Sequence, residues 1–148
     1  MFLILITTCV VVAFLLTTIW IKRTRDKQEM ELHSMTPEAL RTLLVSSEVL
    51  LFDVRQPLDL LADSEIIPSA TRIPPKEMLQ NPSLIPRDKD VVVYCTCPSD
   101  ETSRRILHQA LAMNFSRIKF LKGGLAGWKT MGYPVVPYEK PFHLDTGI

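Results

Sequence analysis

Cys95 and Cys97 are the residues of this chain best suited to covalent chemistry. They directly follow three valines and a tyrosine at residues 91–94, a run typical of a buried strand. After them come small polar and acidic residues and then a helical pattern. A thiol between a buried strand and a helix N-terminus faces backbone N–H groups, which favour the reactive thiolate. The pattern therefore predicts thiol chemistry in this loop.

The cysteine content and the charge of the chain exclude several classes of protein. There are three cysteines in 148 residues, and Cys9 lies apart from the other two in an apolar N-terminal run. This is no disulfide framework, and two thiols separated by one residue cannot supply the four ligands of a structural zinc site. We expect no metal and no cofactor. The net charge of +1 gives no sign of nucleic-acid binding.

The N-terminal segment has the length and composition of a membrane anchor. Residues 2–21 carry no charged side chain, and twenty helical residues span roughly 30 Å, the thickness of a bilayer core. Trp20 lies where an amphipathic ring suits the interface, and basic residues follow rather than precede the run. A buried core helix is the alternative. We expect residues 1–21 to be an uncleaved single-pass anchor, with the C-terminal domain in the cytoplasm because of the basic flank: Lys22, Arg23, Arg25 and Lys27.

Beyond a charged linker at residues 22–34, strand and helix patterns alternate, which implies a parallel sheet flanked by helices. Thr36 and Pro37 are suited to open the first helix of the domain. Gly132 and Pro134 are suited to end the last one. Strands are predicted at 49–54, 91–94 and 118–121, a short extended piece at 66–74, helices near 36–44, 106–113 and 125–131, and an extended tail at 137–148.

Several motifs, in this order along the chain, resemble the rhodanese-like family. They are Asp53-Val54-Arg55, Ile67-Pro68-Ser69-Ala70, Val92-Val93-Tyr94-Cys95, Asn114-Phe115, Leu121-Lys122-Gly123-Gly124 with Trp128, and Gly132-Tyr133-Pro134-Val135. The resemblance covers residues 35–136. It implies a parallel α/β fold and a sulfurtransferase whose cysteine takes sulfane sulfur from a thiosulfate-like or protein persulfide donor. The sulfur is then held as a persulfide and passed to a thiol acceptor.

The resemblance places Cys95 at the family's catalytic position and makes Arg104 or Arg105 the anion-binding residue. Asp53 and Arg55 match a pair that orients the loops, a structural role. The loop departs from the usual pattern, because it has no glycine and its first arginine lies nine residues after Cys95. Counting back from Phe115 makes Cys97 the alternative nucleophile. The other residues of this loop are Thr96, Pro98, Ser99, Asp100, Glu101, Thr102 and Ser103.

The acidic pair Asp100 and Glu101 predicts an unusual donor preference. Ser99 is suited to cap a helix, which would place both acids in the first helical turn. Carboxylates near a thiolate raise its pKa and repel anionic donors. We therefore expect weak activity with thiosulfate or a different donor.

Other interpretations of the two thiols remain open. They could form a strained, oxidising disulfide, or one could carry sulfur and the other release it as sulfide. They could also be inert buried thiols, or belong to a non-catalytic or redox-sensing module that binds an integral membrane partner. A phosphatase is disfavoured by the long spacing between cysteine and arginine. No catalytic role is expected for His33, His108 or His143.

Overall fold

The computed structural model of the chain describes residues 1–46, 48–96 and 101–141, with the side chains of residues 2–5 and 101–103 left out of the description. The chain divides into two compact units, residues 1–32 and the domain that begins at His33. Its helices are α1 (Phe2–Leu32), α2 (Pro37–Ser46), α3 (Pro57–Ala62), α4 (Pro75–Gln80), α5 (Glu101–Ala112) and α6 (Gly124–Thr130), with a 3₁₀ turn at Pro82–Leu84. Its strands are β1 (Ser34–Met35), β2 (Val49–Asp53), β3 (Glu65–Ile66), β4 (Thr71–Arg72), β5 (Asp90–Tyr94), β6 (Ile118–Leu121) and β7 (Val136–Pro137).

Helix α1 is long and apolar enough to cross a bilayer, as the composition of its first twenty residues indicates. Two hydroxyl groups of its apolar part are satisfied within the helix: Thr17 donates to the carbonyl of Ala13 at 3.0 Å, and Thr18 to that of Leu15 at 2.8 Å. Such internal bonds let threonine lie in an apolar environment, since no water is needed as a partner. The helix runs on to Leu32, so most of the segment expected to be a charged linker is helical.

The domain is built on a five-stranded parallel sheet with the order β1-β6-β5-β2-β4. Strand β5 lies in the middle, and Val91, Val92 and Val93 are all buried. A run of β-branched residues suits this position, because a central parallel strand is covered on both faces. The three predicted strands and the parallel architecture are confirmed.

Residues 66–74, predicted as an extended piece broken by prolines and consistent with a short strand, contribute to two short strands instead of one. This segment contributes to two sheets: β3 pairs with β7 in an antiparallel pair, and β4 extends the main sheet beside β2. Pro68 and Ser69 separate the two, and Ser69 has a φ of +70°. Proline has no backbone N–H to donate to a neighbouring strand, so strand pairing is interrupted between β3 and β4. No pattern in the sequence indicates β1, whose two residues follow α1 almost directly.

The helix ends of the domain follow the expected chemistry. The Thr36 hydroxyl accepts a bond of 3.3 Å from the N–H of Ala39, so Thr36 caps α2 as predicted. Gly132 has a φ of +70° just past α6, as a residue that ends a helix requires. Trp128 is buried, and its Nε1–H donates to the carbonyl of Pro134 at 2.8 Å. Trp128 also shares a buried cluster with Val92 and Tyr94 of β5, which packs α6 against the sheet.

Candidate active site

Cys95 is the first residue after the central strand, and only 4% of its surface is exposed. The register pairs Asp53 of β2 with Tyr94 of β5 and with Arg72 of β4. The thiol therefore lies at the carboxyl edge of the sheet, one residue beyond the level of Asp53. This edge is where open parallel sheets place their ligand sites.

Part of the predicted loop lies outside the described residues. These are Cys97, Pro98, Ser99 and Asp100, together with the side chains of Glu101, Thr102 and Ser103. Helix α5 begins at Glu101, so this acid belongs to the first helical turn. The choice between Cys95 and Cys97 as nucleophile stays a prediction.

A buried network of polar side chains supports the end of β5. The Nε and Nη2 of Arg55 donate to the carboxylate of Asp53 at 3.1 and 2.7 Å. The hydroxyl of Tyr94 donates to the same carboxylate at 3.2 Å and accepts from the N–H of Ile67 at 3.2 Å. Asp53 and Arg55 are both buried, so each charge depends on the other. The structural role expected for this pair is consistent with these contacts.

Arg55 also fastens the chain that follows β2. Its Nη1 and Nη2 donate to the carbonyls of Asp63 and Glu65, each at 2.8 Å. Burial opposes the charge on Arg55, but the hydrogen bonds and charge of Asp53 outweigh it and raise the pKa of the guanidinium. The carboxylate of Asp53 is engaged by both Arg55 and Tyr94, which is the arrangement of a structural ion pair.

The Tyr94 hydroxyl is a permanent donor in this network. Burial, together with the charge of Asp53, raises the pKa of Tyr94 well above its ordinary value. The backbone of Tyr94 is held as well, because its carbonyl accepts from the N–H of Val54 at 3.0 Å. The residue that precedes Cys95 is thus fixed through both its side chain and its main chain.

Two guanidinium groups near the carboxyl edge have unsatisfied nitrogens. Among the described residues, the buried Nε of Arg104 and that of Arg72 have no hydrogen-bond partner. Arg104 lies in the first turns of α5 and is half-buried, whereas the neighbouring Arg105 is exposed. Of the two arginines predicted to bind an anion, the burial favours Arg104. An unpaired buried donor costs roughly 1–3 kcal/mol, which a bound anion would offset.

Sequence reasoning missed Arg72. Its Nη1 donates to the carbonyls of Asp53 and Ile73 at 3.2 and 3.3 Å. Burial lowers the pKa of Arg72, and the carboxylate that opposes this effect, that of Asp53, is already engaged by Arg55. The sequence does show a cationic residue in a segment predicted to be extended. Its position beside the ends of other strands follows only from the order of strands in the sheet.

The described groups at this edge include the buried thiol, the ion pair of Asp53 and Arg55, and Arg72, while Arg104 lies in the first turn of the helix that follows the thiol loop. A thiol in such surroundings can act as a nucleophile, and guanidinium groups bind oxyanions and carboxylates well. The edge therefore suits nucleophilic attack on an anionic substrate.

Comparison with known proteins agrees with this geometry. The chain belongs to the rhodanese-like domain family, whose model matches residues 36–131. A protein of Allochromatium vinosum named sulfurtransferase is 33% identical over 103 residues, which cover 69% of this chain and 92% of that protein. A rhodanese-related protein of Thermoplasma volcanium has a similar structure, with a TM-score of 0.56 and 25% identity over 70% of this chain and 97% of its own. A full-length protein of Lactobacillus plantarum shares the fold, with a TM-score of 0.66 and 21% identity over 78% of this chain and 97% of its own.

The buried pair makes a prediction about stability. Arg55→Met should lower the free energy of unfolding by about 3–5 kcal/mol, because it leaves the charge of Asp53 buried and uncompensated. Arg117→Met is the matched control, since Arg117 pairs with Asp90 at 2.8 Å on an exposed surface. The control should cost less than about 1 kcal/mol. Denaturant unfolding measures both, and equal losses would contradict the role given to Asp53–Arg55.

Proposed function

We propose that this protein is a membrane-anchored sulfurtransferase in which Cys95 carries sulfane sulfur as a persulfide. The observation that carries the proposal is the position of Cys95, a buried thiol at the carboxyl end of the central strand of a rhodanese-like domain. The name of the Allochromatium relative supports sulfur transfer as the general activity. Family membership alone would not support sulfur transfer, because the reaction requires a cysteine thiol at this position.

The proposed reaction exchanges one sulfur–sulfur bond for another. The Cys95 thiolate attacks the outer sulfur of the donor, whose S–S bond breaks and releases sulfite from thiosulfate or a thiolate from an organic persulfide. Cys95 then holds the sulfur as an anionic persulfide. An acceptor thiolate attacks the terminal sulfur, takes it as a new persulfide, and restores the Cys95 thiolate. No external oxidant or reductant is consumed.

Mass spectrometry of the intact protein tests this step directly. After incubation with thiosulfate or glutathione persulfide, the chain from Met30 onward should gain the mass of one sulfur atom. Cys95→Ala should abolish the gain and Cys97→Ala should retain it. Loss only in Cys97→Ala would move the nucleophile by two residues. No gain with either donor would contradict sulfur transfer and favour a module that only binds partners.

The half-buried Arg104 is the proposed ligand of the anionic part of the donor. Its unsatisfied Nε supports this role, and its position in α5 brings it near the start of the helix that follows the thiol. Thiosulfate should still bind weakly, because the acidic pair Asp100 and Glu101 precedes Arg104 in the sequence and carboxylates near a thiolate repel an anion. An organic persulfide with a more remote charge should suffer less from this repulsion.

Kinetics of neighbouring arginine variants test the assignment. Arg104→Gln should raise the KM for the donor by about tenfold or more, because a hydrogen bond to a charged group contributes about 1.5–3 kcal/mol. Arg105→Gln is the matched control, being the next residue but exposed, and should change KM by less than about twofold. If the two substitutions had the same effect, Arg104 would have no specific role.

The membrane proposal places the domain in the cytoplasm beside an integral membrane partner that supplies or uses sulfur compounds. Helix α1, which is long and apolar enough to cross a bilayer, supports the anchor, and the basic residues that follow its apolar part support the orientation. A partner in the membrane is then favoured because tethering raises its effective concentration. Crosslinking in native membranes that recovers no membrane protein would count against such a partner.

Reporter fusions in a bacterium test the orientation. A fluorescent protein at the C-terminus should fluoresce, and alkaline phosphatase at the same position should stay inactive, because both report a cytoplasmic end. Replacing Lys22, Arg23, Arg25 and Lys27 by asparagine should weaken or reverse this preference. An active phosphatase fusion to the native chain would refute the cytoplasmic orientation.

A further inference from the structure

The peptide that follows the thiol lies directly against Gly124. A Cβ atom built on Gly124 would come within 2.1 Å of the carbonyl oxygen of Cys95 and 3.1 Å of that of Thr96. The Cys95 carbonyl points toward this turn, since its oxygen is nearer the built atom than its carbon, at 3.2 Å. The N–H of Leu125 donates to the same oxygen at 3.4 Å. Only a glycine leaves room for this approach.

The direction of that carbonyl determines the direction of the next amide. In a planar trans peptide the C=O of one residue and the N–H of the next point in opposite directions. No described peptide bond is cis. Because the Cys95 carbonyl points into the turn, the N–H of Thr96 points away from Gly124. This N–H is the first backbone donor after the thiol.

The turn that contains Gly124 is held from several sides. The N–H of Lys122 donates to the carbonyl of Met35 in β1 at 2.8 Å, and the N–H of Gly127 donates to that of Gly123 at 2.8 Å. Trp128 in the following helix is buried. The turn cannot retreat easily, so a side chain at position 124 would have to displace the Cys95–Thr96 peptide instead.

We propose that Gly124 is a positioning residue for the thiol: it seats the Cys95 carbonyl so that the N–H of Thr96 is directed to the sulfur anion. The inference rests on the proposed function, because a persulfide carrier needs its anion stabilised before and after transfer. A backbone donor aimed at a developing or resident anion acts without reorganisation. Gly124 touches neither donor nor acceptor and acts through the Cys95–Thr96 peptide.

Matched glycine variants of the full chain in detergent provide the first test, with Cys9 and Cys97 replaced by serine. Gly124→Ala should slow the alkylation of Cys95 by iodoacetamide at pH 7 by about tenfold or more, as loss of one anion-stabilising donor predicts. Gly132→Ala is the control. Gly132 has a similar left-handed φ, +70° against +55°, but a Cβ there meets nothing within 4 Å. It should change the rate by less than about twofold, and equal rates in two folded variants would overturn the proposal.

A spectroscopic measurement on the full chain does not depend on the fold of a glycine variant. With ¹⁵N-threonine labelling, the amide proton of Thr96 should shift downfield as the Cys95 thiol ionises, because it then donates to an anion. In Cys95→Ser the shift over the same pH range should disappear. A Thr96 signal that behaves identically in both proteins would overturn the proposal even if Gly124→Ala does not fold.

Failure of the proposed function can be told apart from failure of this inference. Absence of sulfur gain on Cys95 contradicts sulfur transfer, whereas alkylation and the Thr96 signal report the thiolate itself and need no turnover. A normal mass gain on Cys95 together with an unresponsive Thr96 amide would support the sulfurtransferase activity and contradict the role proposed for Gly124.

Discussion

The buried carboxylate of Asp53 is the constraint around which this domain is arranged. A charge at the end of a covered strand is tolerated only if it is paired and hydrogen-bonded, because its desolvation is costly. Arg55 and Tyr94 meet that requirement. In doing so they join β2 to β5, and Arg55 reaches on to the carbonyls of Asp63 and Glu65. The need to pair the Asp53 charge thus links β2, the end of β5 and the chain at Asp63 and Glu65.

The thiol is supported from two opposite directions. On one side the Asp53 network fixes Tyr94 through its hydroxyl and its carbonyl. On the other side the turn at Gly124 approaches so closely that no side chain fits between it and the Cys95 carbonyl. The unsatisfied guanidinium nitrogens of Arg72 and Arg104 add positive charge near the same edge. Rigid backbone support combined with cationic side chains that keep a free donor is a suitable environment for a sulfur atom that remains anionic through its proposed cycle.

Elements defined by local chemistry were predictable. The buried run at residues 91–94, the cap at Thr36 and the glycine after α6 each follow from neighbouring side chains and backbone preferences. Features that depend on distant partners were not. β1 consists of two residues whose bonding partners lie in β6, and the segment at 66–74 divides between sheets because β7 pairs with part of it. Nothing within either short segment carries that information.

By itself the sequence determined two things. It placed a thiol after a buried strand with an arginine downstream, and it contained an apolar helix long enough to cross a bilayer. These follow from residue type and spacing, which act over a few turns of chain. Only the tertiary structure decided which arginines near this edge have unsatisfied nitrogens, that Asp53 is engaged by Arg55 and Tyr94, and that Gly124 touches the Cys95 carbonyl. The physical reason is that burial and close approach depend on the order in which strands pair, and that order brings together residues far apart in the chain.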